Sequence, residues 1–157
     1  MIASLALLLL LQAPQRAGAD VCASAKPSAS LRAMVVTPAR QAKDSVMRAT
    51  VCLIPAAGSS ASIGSYHGEL HFDSTVVSAV SVEKPAGGVR VENANVKGQV
   101  NFAGAAPAGF PGRGLVTVVL RLRRPGAAPA LTLRMKELNS TDGKSLMKQL
   151  VVAGASP

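Results

Sequence analysis

Aromatic side chains are scarce in this 157-residue chain, which has no Trp, one Tyr and three Phe. Proteins that hold polysaccharides or single-stranded nucleic acids on an open face usually stack rings or bases on exposed aromatic residues. Tyr66, Phe72 and Phe102 have the parity of core residues in their predicted strands, which leaves only Phe110 free to stack. The sequence therefore argues against a flat glycan-binding platform and against nucleic-acid binding, although the formal net charge is +9.

Residue patterns typical of catalysis or of metal binding are scarce as well. The only two histidines, His67 and His71, flank Glu69 on one face of a predicted strand, with about 7 Å between successive side chains. Such a row can supply two ligands to zinc or copper, but no further histidine completes the site. No G-x-S-x-G nucleophile motif or second carboxylate accompanies the row. We predict no catalytic residues, no metal and no cofactor.

The chain has two cysteines, Cys22 and Cys52. An even number of cysteines in an exported protein favours a disulfide, which here would close a loop of about 30 residues. The alternative is a pair of free thiols, one of them buried in a sheet.

The N-terminus contains an almost continuous apolar run, Ile2–Leu11, followed by Ala17-Gly18-Ala19. This run is too short to span a bilayer, and a small-x-small site after it is typical of a cleaved signal peptide. We predict a signal peptide over residues 1–19 with cleavage near Ala19, a lead-in over residues 20–30 and one domain over residues 31–153. No transmembrane segment is predicted, and the location is secreted, periplasmic or cell-surface.

The rest of the chain consists of short apolar or alternating stretches between Gly- and Pro-bearing turns, without a sustained 3.6-residue period. This pattern predicts an all-β sandwich or barrel. The predicted strands are Leu31–Val36, Ser45–Ile54, Tyr66–Phe72, Val76–Val82, Val89–Glu92, Val96–Ala103, Leu115–Leu122, Leu131–Met135 and Leu146–Val152. Between them, Gly104–Gly114 is predicted to be a mobile loop or flap that exposes Phe110, and Asp142-Gly143 a tight reversal.

Two predicted strands carry outward basic residues, Arg121 on Leu115–Leu122 and Arg134 on Leu131–Met135. If these strands pair through the connection over residues 125–129, their basic side chains share one face. Such a face either is solvated and discourages edge-to-edge pairing or is a docking surface for an acidic partner.

Several stretches, taken in order, resemble the strands of cohesin domains, which are secreted modules that capture dockerin domains. Tyr66–Asp73 with the following valines has the pattern L-x-F-D-x-x-V-V, and Asn95–Phe102 has N-x-x-G-x-V-x-F. Similar matches are found at Asp44–Pro55, at Gly112–Leu115 and at Leu131–Leu138 followed by Asp142-Gly143. Together they extend over most of the predicted domain.

The resemblance implies an antiparallel β-sandwich of about nine strands with jelly-roll topology, which binds its partner on an exposed sheet face containing the Tyr66–Phe72 strand. The expected partner is a dockerin-like protein module, which outward basic residues would steer towards the face. The alternatives are a carbohydrate-binding module for polysaccharide and a structural envelope domain without a specific ligand. The predicted partner-binding residues are Ser65, His67, Glu69, His71, Arg121 and Arg134.

Overall fold

The computed structural model describes residues 19–39 and 43–154, with the backbone alone at positions 19 and 20. All but the last residue of the predicted signal peptide lies outside these residues. The described residues form a short helix, nine strands and a 3₁₀ turn: α1 (Ala19–Ala23), β1 (Leu31–Val36), β2 (Val46–Ile54), β3 (Ile63–Phe72), β4 (Val77–Glu83), β5 (Val89–Asn93), β6 (Gln99–Ala105), β7 (Gly114–Leu122), β8 (Leu131–Ser140), the turn Met147–Gln149 and β9 (Leu150–Val152). No helix among these residues is long and apolar enough to cross a membrane.

The strands form two sheets, one with the order β4-β7-β2-β1-β9 and one with the order β5-β6-β3-β8. Only β1–β2 and β5–β6 are hairpins, and every other connection crosses from one sheet to the other. This arrangement confirms the predicted nine-stranded sandwich with jelly-roll topology. The pairing is not antiparallel throughout, because the edge strand β9 runs parallel to β1.

The core lies between the two sheets and is formed by the alternate, inward side chains of the strands. Tyr66 and Phe102 are 3% and 2% exposed, as their parity predicts. Their rings lie directly over strand glycines, because a Cβ added to Gly68 would be 2.6 Å from Phe102 Cζ and one added to Gly104 would be 2.6 Å from Tyr66 Cζ. These glycines therefore allow the aromatic rings to approach the sheet closely.

The predicted strand boundaries differ from the structure at the end of β8 and at the C-terminus. The register of β8 against β3 shifts between His67 and Gly68, so that Lys136 is an extra residue and the alternation changes phase. Leu138 is consequently buried and β8 continues to Ser140, beyond the predicted end at Met135. At the C-terminus, the predicted strand Leu146–Val152 is a 3₁₀ turn followed by the three-residue β9.

The two basic strands do not pair, because β7 and β8 belong to different sheets. The connection between them crosses the end of the sandwich instead of forming a hairpin. Arg121 and Arg134 therefore lie on the outer faces of opposite sheets and share no surface. Strand β7 lies between β2 and β4, and its outward Thr117 is buried with its hydroxyl 2.9 Å from that of Thr50.

The predicted disulfide is present between Cys22 and Cys52, with their Cα atoms 5.5 Å apart. Both cysteines are fully buried and pack with Ile54 in a second, smaller apolar cluster. Because Cys52 points away from the main core, this cluster lies on the outer side of the five-stranded sheet and fixes α1 there.

The prediction that Phe110 is exposed is wrong. Its ring is half-buried, 5.0 Å from the Tyr66 ring and 4.4 Å from the Arg90 guanidinium, measured to the ring centroids. Arg90 also donates hydrogen bonds of 2.7 Å to Tyr66 Oη and to the carbonyl oxygen of Leu115. Burial raises the pKa of Tyr66, an effect that the charge of Arg90 partly offsets. These contacts attach the loop that contains Phe110 to the core.

Candidate functional site

The outer face of the β5-β6-β3-β8 sheet, which we name the four-strand face, contains five of the six predicted partner-binding residues. Among the described residues, no other helix or strand packs over it. Strand β3 contributes its outward Ser65, His67, Glu69 and His71 from the middle of the sheet, paired across to β6 and β8. The face consists of these four residues with Val89, Val91, Asn93, Gln99, Asn101, Ala103, Ala105, Thr132, Arg134, Lys136, Glu137 and Asn139.

Glu69 lies at the centre of the four-strand face and is only 8% exposed. Its carboxylate is 2.5 Å from Lys136 Nζ and accepts a hydrogen bond of 3.0 Å from His71 Nε2. An ionised carboxylate can only accept hydrogen bonds, so the histidine nitrogen must donate. The hydrogen bond from Lys136, and then the one from His71, lower the pKa of Glu69 despite partial desolvation. The centre of the face is thus an ion cluster that is already satisfied.

The β8 bulge brings Glu137 to this face. Without the extra residue, strict alternation would direct the side chain of Lys136 outward and that of Glu137 towards the core. With it, Lys136 and Glu137 are both exposed, and Lys136 reaches Glu69 from the neighbouring strand. No residue type or spacing in β8 signals this bulge, so Glu137 is a residue of the face that the sequence alone does not predict.

Other polar groups at the two ends of the face are also paired. Asn139 Nδ2 donates to Glu137 Oε1 at 2.6 Å and to Ser65 Oγ at 3.0 Å. Gln99 Nε2 donates to Asn101 Oδ1 at 2.6 Å. By contrast, His67 and Arg134 form no hydrogen bond or ion pair with any described side chain. Their donors remain available to a partner.

The β5 side of the face is apolar apart from Asn93 at its end. Val89 and Val91 are 72% and 61% exposed and lie beside Ala105 and Ala103 of β6. A cleft of about 260 Å³ separates Val91 from His67. The alternation in the predicted strand Val89–Glu92 indicated from the sequence that a strand lies here. Which set of its alternate side chains faces outward depends on how β5 pairs with β6.

The charge of the face is balanced. Arg134 and Lys136 are its cations, and Glu69 and Glu137 are its anions. Arg121 is exposed on the opposite sheet, so it does not add positive charge here. The face is therefore not the basic surface that pairing of the two Arg-bearing strands would have produced. Within the described ranges, no three His, Cys, Asp or Glu side chains are grouped closely enough to hold a metal ion.

No protein-family model matches the sequence, and no curated protein matches it either. Among solved structures, the sixth cohesin of Acetivibrio cellulolyticus scaffoldin B, in complex with a dockerin, superposes with a TM-score of 0.64 at 11% identity, covering 80% of this chain and 96% of that one. The chain has the cohesin fold. A type I cohesin of Clostridium thermocellum, also from a complex with a dockerin, gives a TM-score of 0.61 at 15% identity over 84% of this chain and 94% of its own.

The cohesin fold of this chain also matches a non-cellulosomal cohesin from the archaeon Archaeoglobus fulgidus, with a TM-score of 0.58 at 17% identity. That match covers 79% of this chain and 88% of the archaeal one. The resemblance seen in the sequence is thereby confirmed for the fold.

Proposed function

We propose that this chain is a non-catalytic binding module that docks a dockerin-like protein on its four-strand face. The observation that carries the proposal is the face itself, a sheet surface that no described helix or strand covers and whose central charges are already paired. The solved cohesins with the same fold that were crystallised with dockerins support the choice of partner class. In cohesins the docking face includes the strand that corresponds to β3, according to the sequence resemblance.

The dimensions of the face suit a protein partner. Four strands about 4.8 Å apart and a central strand of ten residues, at about 3.3 Å per residue, give a surface of about 19 by 33 Å. Its area of about 630 Å² is somewhat below the roughly 800 Å² that each partner contributes to a standard protein interface, so a partner would cover nearly all of it.

The chemistry of the face predicts how the partner is recognised. The β5 side offers Val89, Val91 and Ala103 to an apolar surface, and the β3–β8 side offers the unpaired donors of His67 and Arg134. We propose that the partner covers the valines and places hydrogen-bond acceptors on His67 and Arg134. Ser65, Glu69 and His71 then contribute a preformed polar floor, whereas Arg121 lies outside the interface.

We further propose that the chain acts outside the cytoplasm, after cleavage near Ala19. The Cys22–Cys52 disulfide supports this location because disulfides persist in oxidising compartments. Cleavage there would leave Cys22 close to the new N-terminus, where the disulfide ties the lead-in to β2.

The polysaccharide alternative is not favoured, because sugar-binding faces need exposed aromatic rings. Tyr66 and Phe102 are buried, and Phe72 and Phe110 are half-buried against the core. None of the four rings belongs to the four-strand face.

The proposal is tested by measuring the binding of the chain from Asp20 onward to a panel of purified dockerin modules, with biolayer interferometry. Ala103→Arg adds a long charged side chain in the middle of the face, beside the 260 Å³ cleft, without removing any contact within the protein. We expect this variant to lose at least a hundredfold in affinity. Arg121→Ala, on the opposite sheet, is the matched control and is expected to bind as the wild type does.

Binding that survives Ala103→Arg would show that the partner uses another surface. Failure to bind any dockerin, together with retention on a polysaccharide panel, would replace the proposal with the carbohydrate-binding alternative.

A further inference from the structure

A cleft of about 340 Å³ opens at one end of the sandwich, between the two sheets. Residues 55–62, which connect β2 to β3, and residues 110–113, before β7, form its sides, and the 3₁₀ turn contributes Gln149. Its volume is within the range of about 300–1,000 Å³ that is typical of small-molecule sites. The cleft shares no residue with the four-strand face, so a ligand bound in it would be independent of the proposed docking function.

The floor of the cleft is apolar and belongs to the main core. It is formed by Leu31, Leu53, Leu115 and Leu146, with Ile63 and Phe110 at its sides. Apart from Phe110 and Arg113, the loops above contribute only small side chains or proline, among them Ala56, Ser60, Ala61 and Gly112. The four leucines are at most 8% exposed, so an apolar ligand would contact their outer edges together with the small loop side chains and would add dispersion contacts there.

Arg113 is the only charged residue among the described residues that line the cleft. It is half-buried, and its Nη1 donates a hydrogen bond of 3.0 Å to the carbonyl oxygen of Ala25, which fixes the guanidinium in place. Arg113 forms no ion pair with any described carboxylate, and the rest of its N–H groups are free within the described part of the chain. The remaining polar side chains of the lining are serines and Gln149.

We propose that this cleft binds an unbranched aliphatic carboxylate, such as a medium-chain fatty acid. The alkyl chain would lie on the leucine floor, and the carboxylate would pair with the guanidinium of Arg113, which is suited to bidentate contact with a carboxylate. A sugar or another polyhydroxylated ligand fits less well, because the floor offers it no hydrogen-bonding side chain. The positive net charge of the chain favours an anionic ligand over a neutral one.

The test is a titration of the chain from Asp20 onward with butanoate, hexanoate, octanoate and decanoate below their micellar concentrations, followed by ¹⁵N-edited NMR. We expect saturable shifts at the amides of Ala61, Ile63, Gly112, Arg113 and Gln149. The affinity should rise about fourfold for each added CH₂ until the cleft is full, and then level off. Octanol and octylamine should bind at least tenfold more weakly than octanoate.

Two variants separate the charge of the site from its volume. Arg113→Gln should weaken octanoate about tenfold and remove its advantage over octanol, whereas Arg113→Lys should retain part of it. Gly112→Leu adds bulk at the rim, where no atom lies within 4 Å of the new Cβ, and should flatten the dependence on chain length. Arg124→Gln, an exposed cation at the opposite end of the sandwich, is the matched control.

The proposal is overturned if no saturable shifts occur, if affinity does not depend on chain length, or if Arg124→Gln weakens binding as much as Arg113→Gln. The last result would indicate general attraction of anions by a basic protein. If Arg113→Gln does not fold, the proposed site is tested by the comparison of octanoate with octylamine and by the Gly112→Leu variant.

Discussion

Removing the Cys22–Cys52 disulfide should lower stability by a magnitude that can be worked from the structure. The bond links residues 30 positions apart. In the chain-entropy model a loop of this length stabilises the fold by about 3.6 kcal/mol at 25 °C. A domain of about 140 residues has an unfolding entropy of about 0.3 kcal/mol per degree, so the melting temperature should fall by about 12 °C. The Cys22→Ala/Cys52→Ala double variant removes the bond without leaving thiols behind.

The assay is scanning calorimetry of the oxidised wild type, the reduced wild type and the double variant, combined with partner binding at a temperature where all three are folded. We expect the two disulfide-free forms to melt together, well below the oxidised protein, and to bind the partner normally. Normal binding is expected because Cys52 lies on the outer side of the five-stranded sheet, opposite the four-strand face. A fall of less than about 3 °C would refute the loop-closure reasoning, and loss of binding by the folded variant would refute the separation of the two surfaces.

Two further predictions concern single residues. Gly68→Ala should destabilise the fold by about 1–3 kcal/mol in urea denaturation, because the added Cβ would meet the Phe102 ring. A variant as stable as the wild type would show that the ring shifts freely. The pKa of Asp142 is lowered from 3.8 to about 2 by hydrogen bonds from Lys144 and then Ser140. The contribution of Asp142 to the stability of the fold is therefore present above about pH 4 and is lost as the pH falls towards 2. Asp142→Asn should reduce the loss of stability between pH 4 and pH 2, measured by urea denaturation at both pH values, and an unchanged loss would contradict the assignment.

The strands themselves could be predicted from the sequence because each one has a simple alternation or an apolar run. In β3, for example, the positions of Tyr66 and Leu70 determine which side faces the core, and the outward row that begins at Ser65 is then determined as well. This is why the predicted residues of β3 lie together on one face in the structure. Local alternation is a property of a single strand, and it survives whatever that strand pairs with.

Strand pairing could not be predicted in the same way. The connection over residues 123–130 is long enough to form a loose hairpin or to cross the end of the sandwich, and no residue in it dictates which. The structure takes the second course, which separates Arg121 from Arg134 by the full thickness of the domain. A surface composed of side chains from several strands depends on this choice, so the basic face that pairing of the two strands would have produced did not form.

The character of the four-strand face depends on how its charged side chains pair. Strand alternation places Glu69 in a row with two histidines, but it does not show which cation of the neighbouring strand reaches the carboxylate. In the structure Lys136 pairs with Glu69, which is only 8% exposed, and the donors that remain unpaired are those of His67 and Arg134. Recognition on such a face must rest on shape, on the exposed valines and on a few directed hydrogen bonds more than on the net charge of the chain. A partner selected for negative charge alone would find as many anions as cations there.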